Sequence, residues 1–261
     1  MKNKYRTIWI SDVHLGTRGC QAALLEDFLK KNECDKLYLV GDIIDGWVMS
    51  RGVIYWPQTH TNVIRKILSK SRKGTDVIYI TGNHDEFLRA FPLNTEYGLE
   101  FGNITVTDED IHETAAGKRF LVVHGDRYDV VTRYHKWIAI AGDYGYRFLI
   151  WLNRIFNKWR QRFGKGYWSL SAFIKHKVKT AVNFIGEYEN AVVFEAKQRH
   201  VDGVICGHIH HAEIKEVDGF IYMNDGDWVE SCTALVEDYD GNISIVRWAT
   251  IDHDTNQDLT D

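Results

Sequence analysis

Cysteine is scarce in this chain of 261 residues, and what there is lies scattered: Cys20, Cys34, Cys206 and Cys232, with no CxxC pair. That excludes a disulfide-dense secreted scaffold and fits a reducing compartment. Proline occurs only twice, and neither an internal repeat nor a low-complexity linker breaks the chain. No run approaches 18 consecutive apolar residues, so no membrane-spanning helix is expected. The opening MKNKYRTIWISDVH enters a strand without the apolar stretch of a cleaved secretory signal, and a cytoplasmic location is the expectation. Acidic residues are missing altogether from one long stretch, 144–186.

What is present reads as a soluble enzyme, with 44% hydrophobic and 26% charged residues. Short apolar runs at Arg6–Ile10, Lys36–Val40 and Val77–Ile80 predict strands. Amphipathic stretches at 21–31 and 58–71 predict helices between them, a βαβ rhythm that implies a buried, largely parallel sheet. Further strands are expected at Arg119–Val123, Gly203–Cys206, Phe220–Met223, Cys232–Glu237 and Ile243–Trp248, the last two flanking the hairpin signal DYDGN. The fold class expected is α/β, a sandwich of two mixed β-sheets flanked by helices.

Five strand exits carry Asp, Asn or His, mostly beside glycine: Asp12 and His14, Gly41-Asp42, Gly82-Asn83-His84-Asp85, His124-Gly125-Asp126, and Gly207-His208-Ile209-His210. Ligand sites in α/β sheets form outside the carboxyl ends of strands, so these loops can converge on one crevice. Two divalent ions about 3.5–4 Å apart clamp a phosphorus centre for in-line attack and lower the pKa of bound water until hydroxide exists near neutral pH. Asp12, His14, Asp42 and His210 are assigned to the first ion. Asp42, as the bridge, joins Asn83, His124 and His208 on the second. No thiolate is among them, which argues against a closed structural zinc site, and the donor set suits Mn²⁺, with Fe²⁺ or Zn²⁺ as alternatives. His84 is expected to protonate the leaving oxygen or stabilise transition-state charge, with Asp85 orienting it. Asp45 and Asp126 are read as partners of ligand histidines. If residues 208–211 are extended, His208 and His210 share a face and His211 is a bystander.

The motifs DVH, GD, GNHD, HGD and GHIH, in that order and spacing, resemble the calcineurin-like metallophosphoesterase superfamily. The resemblance covers roughly 1–126 and 200–250 and implies a single phosphoesterase domain over 1–261. Every dimetal ligand position is filled, unlike in binding-only members.

About 80 residues separate the fourth motif from the fifth, far more than one connection needs. They are expected to form a helical lid, 127–190, inserted in the domain. Within it, 144–186 holds nine Lys or Arg and eleven aromatics against no acid, leaving 23 basic residues against 36 acidic elsewhere. Wound as a helix, it puts Arg147, Arg154, Lys158, Arg162 and Lys165 on one stripe, with Phe148, Ile155, Trp159 and Phe163 opposite. A second helix is expected from about Ser169. Such a segment fits an anionic membrane surface or an amphiphilic substrate, and Trp159, Phe163, Lys165, Lys175 and Lys179 are the candidate substrate contacts. Nucleic acid is not expected, because the positive charge is confined to one hairpin of an acidic protein.

Residues 190–213, NAVVFEAKQRHVDGVICGHIHHAE, resemble the corresponding segment of UDP-2,3-diacylglucosamine hydrolases. Those enzymes cleave a pyrophosphate bond during lipid A synthesis, favour Mn²⁺ and bind acyl chains under a helical insertion. The resemblance implies a nucleotide-linked amphiphilic substrate and peripheral docking on the inner leaflet. Two departures matter: His84 stands where those enzymes usually carry arginine, and HIHHA where they tend to read HTHRP. The alternatives are a phosphodiesterase or phosphatase of soluble nucleotides and, outside enzymes, a membrane-docked interaction module.

Overall fold

The computed structural model describes residues 2–52, 54–90, 99–100, 103–128 and 171–248. The chain divides into two compact units, Met1–Asp126 with Val192–Asp261, and Arg127–Ala191. In the second unit the described residues are Arg127, Tyr128 and 171–191, the last being part of a helix that spans Ser171–Gln198. No described helix is long and apolar enough to cross a membrane.

The first unit contains two mixed sheets. The larger joins β1 (Asn3–Ile10), β2 (Asn32–Val40), β3 (Asp76–Ile80), β4 (Leu99–Glu100), β5 (Ile104–Thr107), β11 (Thr233–Glu237) and β12 (Ile243–Arg247), in the order β12-β11-β1-β2-β3-β5-β4. The smaller joins β6 (Glu109–Glu113), β7 (Arg119–Val123), β8 (Gly203–Cys206), β9 (Glu213–Val217) and β10 (Phe220–Asn224), in the order β6-β7-β8-β10-β9. Strands β1, β2, β3 and β5 run parallel, as do β7, β8 and β10. All of these therefore deliver their carboxyl ends to one side of their sheet.

Alternation along the strands builds two cores. Ile8, Ile10, Leu37 and Leu39 face helices α1 (Ala22–Lys31) and α3 (Gln58–Arg72), where they meet Leu25, Phe28, Val63 and Ile67. Trp9, Tyr38, Val40 and Ile80 point the other way and pack with Phe120, Val122, Ile205 and Met223 of the smaller sheet. Both faces of the large sheet are thus covered, which is why its central strands end in unbroken apolar runs. A buried polar knot crosses between the sheets. Glu237 accepts from Arg6 (2.8 and 2.9 Å), Thr7 Oγ1 (2.8 Å) and the Ala115 amide (2.8 Å), and lies 2.9 Å from His112 Nε2.

The expected strands and the helices at 21–31 and 58–71 are present within four residues at each end, and the basic amphipathic helix expected in the 127–190 insertion lies outside the described residues. Strands β4, β5, β6 and β9 and the short helix α2 (Gly46–Met49) were not anticipated.

Candidate metal centre

The five strand exits meet, and backbone hydrogen bonds fix how. The amides of Asp12, Val13 and His14 donate to the carbonyls of Gly41 and Asp42, zipping the β1 and β2 exits together. Gly207 donates to His124 O and Trp228 to Asp12 O, which draws in the loops after β7, β8 and β10. Gly41 has φ +80°, and a Cβ there would overlap the His124 ring; a Cβ at Gly207 would overlap Ser11 and Asp12. These glycines are placed by close approach as much as by turning. Asp12, His14, Asp42, His208 and His210 all have φ between 50° and 71°. Left-handed backbone is uncommon outside glycine, with Asp, Asn and His its most frequent exceptions.

Each carboxylate has one oxygen tied down and one turned inward. Asp12 Oδ2 accepts from the His208 amide (2.8 Å) and Ser11 Oγ (2.5 Å), while its Oδ1 faces His210 Nε2 at 3.1 Å and His14 Nε2 at 3.9 Å. Asp42 Oδ1 accepts from the His84 amide (2.8 Å), and its Oδ2 faces His124 Nε2 at 3.4 Å. The imidazoles are set the same way. His124 Nδ1 lies 2.8 Å from the Val40 carbonyl, which only accepts, so Nδ1 carries the proton in the neutral ring and the Nε2 lone pair looks toward Asp42. Two acceptors aimed at each other need a metal ion between them or, on a protonated His124, a hydrogen. His14 Nδ1 lies 3.2 Å from Asp45 Oδ2, which leaves its Nε2 directed at the crevice.

Asp12, His14 and His210 form one group whose ligand atoms all lie within 4.8 Å of one another, and Asp42, His124 and His208 form a second. The Asn83 Oδ1 atom is buried with no hydrogen-bond partner, a cost that a metal ligand would not incur. Oxygen and imidazole donors without thiolate suit divalent ions of the Mn²⁺, Fe²⁺ and Zn²⁺ type. The residues fit the group. Burial alone would lower the His210 imidazole, but the Asp12 carboxylate beside it overrides this and pushes it up to about 9. Burial would likewise raise Asp42, yet His124 holds it well below the carboxylate range. Carboxylate charge is concentrated where cations are wanted.

His84 stands beside both groups. Its ring meets His14 edge-on (4.6 Å) and Trp47 edge-on (5.1 Å), with Nε2 4.0 Å from Asp42 Oδ2. The carboxylate facing its Nδ1, at 3.0 Å, belongs to Asp45. Burial would lower the His84 imidazole, but Asp45 and Asp42 raise it, favouring the proton-donating form. The carboxylate expected beside His84 was Asp85, and the one found there is Asp45. Asp85 is fully buried and accepts from the amides of Asp42, Ile43 and Gly82 and from the Tyr79 hydroxyl, stapling the β2 exit to the β3 exit. Asp126 is gripped by Arg89 through two bonds of 2.9 and 3.0 Å. His211 is exposed and lies 3.8 Å from Glu213.

The extended reading of residues 208–211 does not hold. Left-handed turns at His208 and His210 send the two rings to different groups, not to one shared face. Two residues of the centre went unseen in the sequence. Asp225, fully buried, has its Oδ1 2.6 Å from Ser11 Oγ, so one serine hydroxyl, with one hydrogen to give, lies between it and Asp12. Arg89 ties Thr81 to Asp126. Asp225 lies in NDGDW at the exit of β10, one more Asp-Gly strand end, so a signal was there. Trp159, Phe163 and Lys165 lie outside the described residues. Lys175 and Lys179 fall on described helix backbone, with side chains outside it.

A family model, calcineurin-like phosphoesterase, matches residues 5–212. The chain belongs to the calcineurin-like phosphoesterase family. It is a hydrolase by that membership, and divalent metals are the family's expected cofactors. A UDP-2,3-diacylglucosamine hydrolase of Neisseria meningitidis is 27% identical over 248 residues, covering 91% of this chain and 96% of that protein. The protein of the same name from Klebsiella pneumoniae is 23% identical, covering 81% and 84%. Among solved structures, a dimetal phosphatase from Danio rerio aligns at a TM-score of 0.46 and 15% identity, over 94% of this chain and 99% of that one.

Proposed function

We propose that this phosphoesterase cleaves the pyrophosphate bond of UDP-2,3-diacylglucosamine or a similar nucleotide-linked lipid or sugar. Asp12, His14, Asp42 and His210 would hold one divalent ion and Asp42, Asn83, His124 and His208 the other, with Mn²⁺ the favoured ion. The observation that carries this reading is the two ligand groups, Asp12 with His14 and His210 and Asp42 with His124 and His208, in a chain whose relatives bear that hydrolase name along nearly their whole length. When bound, two such ions supply charge neutralisation and a nucleophile at neutral pH.

The protein's own residues do the rest. Asp45 holds His14 and His84 together, so the group that grips metal and the group that donates a proton are positioned by one carboxylate. His84 hands its Nε2 proton to the departing phosphate oxygen. The acid-free segment 144–186 is the part suited to acyl chains and to an anionic inner-leaflet surface.

A turnover screen with Mn²⁺ tests this, comparing UDP-2,3-diacylglucosamine with UDP-sugars, cyclic nucleotides and an aryl phosphodiester. Preference for the diacylated compound is the expected result. A higher kcat/KM on unacylated nucleotides would move the assignment to a soluble-nucleotide phosphodiesterase or phosphatase, the reading favoured by His84 in the place of arginine. No turnover with any of them would leave a docking module.

A further inference from the structure

At the opposite end of the large sheet, the amino ends of β1, β2 and β3 border a cavity of about 660 Å³. Six lysines line it: Lys2, Lys4, Lys30, Lys66, Lys70 and Lys73, against two carboxylates, Glu33 and Asp35. Glu33 is already engaged by Lys2 at 2.7 Å. Among the described residues, Lys4, Lys30, Lys66, Lys70 and Lys73 form no ion pair with a carboxylate. Lys70 is the informative one. It is only 8% exposed, and its sole hydrogen bond among the described residues is to the Asn32 carbonyl, at 2.5 Å. An ammonium has three donors, so two remain at the cavity floor.

Lysines often gather at helix C-termini to complement the dipole, and α1 and α3 both end here. That need is met by residues outside the cavity lining, Lys31 and Arg72, which lie in the same last turns. It does not account for Lys66, a turn earlier, nor for Lys2 and Lys4 on the neighbouring strand. Burying one ammonium inside a ring of others is costly unless an anion compensates it.

We propose that this cavity binds a small polyanion carrying at least two phosphate groups. A single phosphate brings a charge of about −1.5 to −2 at neutral pH, too little for the net +4 of six lysines against Glu33 and Asp35. A diphosphate or longer chain matches them better, and the half-exposed Tyr239 at the rim offers a flat face to any attached base or sugar. The cavity is separated from the metal centre by the length of the strands, about 25 Å for eight residues, so it is a second site and independent of the assignment made for the first.

Lysine footprinting on the full chain tests this. The protein is acetylated with and without inorganic pyrophosphate, with Mn²⁺ kept in excess, and modification is read by mass spectrometry at each lysine. Pyrophosphate is expected to protect Lys66, Lys70 and Lys73 and to leave Lys36 and Lys118 unaffected. In direct titration, K66A/K73A should cut affinity at this site about tenfold, near 1.4 kcal/mol. Both positions lie at the cavity edge, so folding is not at stake. Equal protection by chloride at matched ionic strength would overturn the proposal, as would an unchanged affinity in the double variant. Protection by phosphatidylglycerol vesicles but not by pyrophosphate would also overturn it, making this face a membrane contact instead.

Discussion

The same three strands carry opposite chemistry at their two ends. At their carboxyl ends β1, β2 and β3 feed Asp12, Asp42 and Asn83 into a crevice where Asp12, Asp42 and His124 are each anchored through one atom, while Asp12 Oδ1, Asn83 Oδ1 and His124 Nε2 have no hydrogen-bond partner among the described residues. At their amino ends they border lysines that have few such anchors. The difference lies in how charge is stored. In the crevice, carboxylates and imidazoles compensate one another and are held rigid, so the field is prearranged for ions of fixed position. In the cavity, flexible side chains of a single sign wait for a partner of loose geometry.

The sharpest way to break the first pattern is Asp42→Ala. Loss of the shared carboxylate should lower hydrolysis by about 10³-fold or more and empty both ion positions. Two full metal equivalents by elemental analysis in that variant would contradict Asp42 as the bridge. His84→Ala comes next: it should keep its metal and lose roughly 10²–10⁴ in kcat. The loss should shrink on substrates with good leaving groups, and an equal loss on all of them would assign His84 to positioning. Asp45→Asn keeps the cap on helix α2, where Asp45 accepts from Val48 N at 2.7 Å, and removes the charge facing two imidazoles. Metal affinity should fall about 10–100-fold by competition titration, and an unchanged affinity would make that contact incidental.

The smallest effect belongs to the polar knot between the sheets. Burial would raise the Glu237 carboxyl, but His112, Ala115 and Thr7 more than offset it and bring it down to about 2 from an ordinary 4.5. Its folded value lies below its unfolded one, so its stabilisation is complete above about 4.5 and drains away as pH falls toward 2. Glu237→Gln should cost about 1 kcal/mol at neutral pH and flatten the acid limb of the stability curve. Urea unfolding at pH 7 and pH 3 reads both, and a constant difference between the two pH values would place the effect in packing.

Much of this was legible beforehand, for a physical reason. A strand buried on both faces must be apolar, and a polar cluster beside glycine where it ends has few uses besides a site; that logic placed β1, β2, β3 and five loops of the crevice, though not the one after β10. Strands β6, EDIHE, and β9, EIKEV, escaped because edge strands carry charge and owe their existence to a neighbour. Arg89 escaped because its partners, Thr81 and Asp126, are assembled only by the fold. The rings of His208 and His210 were misdirected because alternation presumes extended backbone, which left-handed turns abolish.

Those left-handed turns have a consequence for how such a protein can change over generations. At Asp12, His14, Asp42, His208 and His210 the backbone admits few residue types comfortably, and among them are Asp, Asn, His and Gly. The chemistry of the crevice asks for nearly the same short set. A lineage released from catalysis can therefore drift to Asn or Gly at these five positions with little harm to the fold, whereas a β-branched replacement strains the loop as well as emptying the site. Descendants that lost the activity would keep the shape of the crevice, written in small and polar residues, long after the ligands were gone.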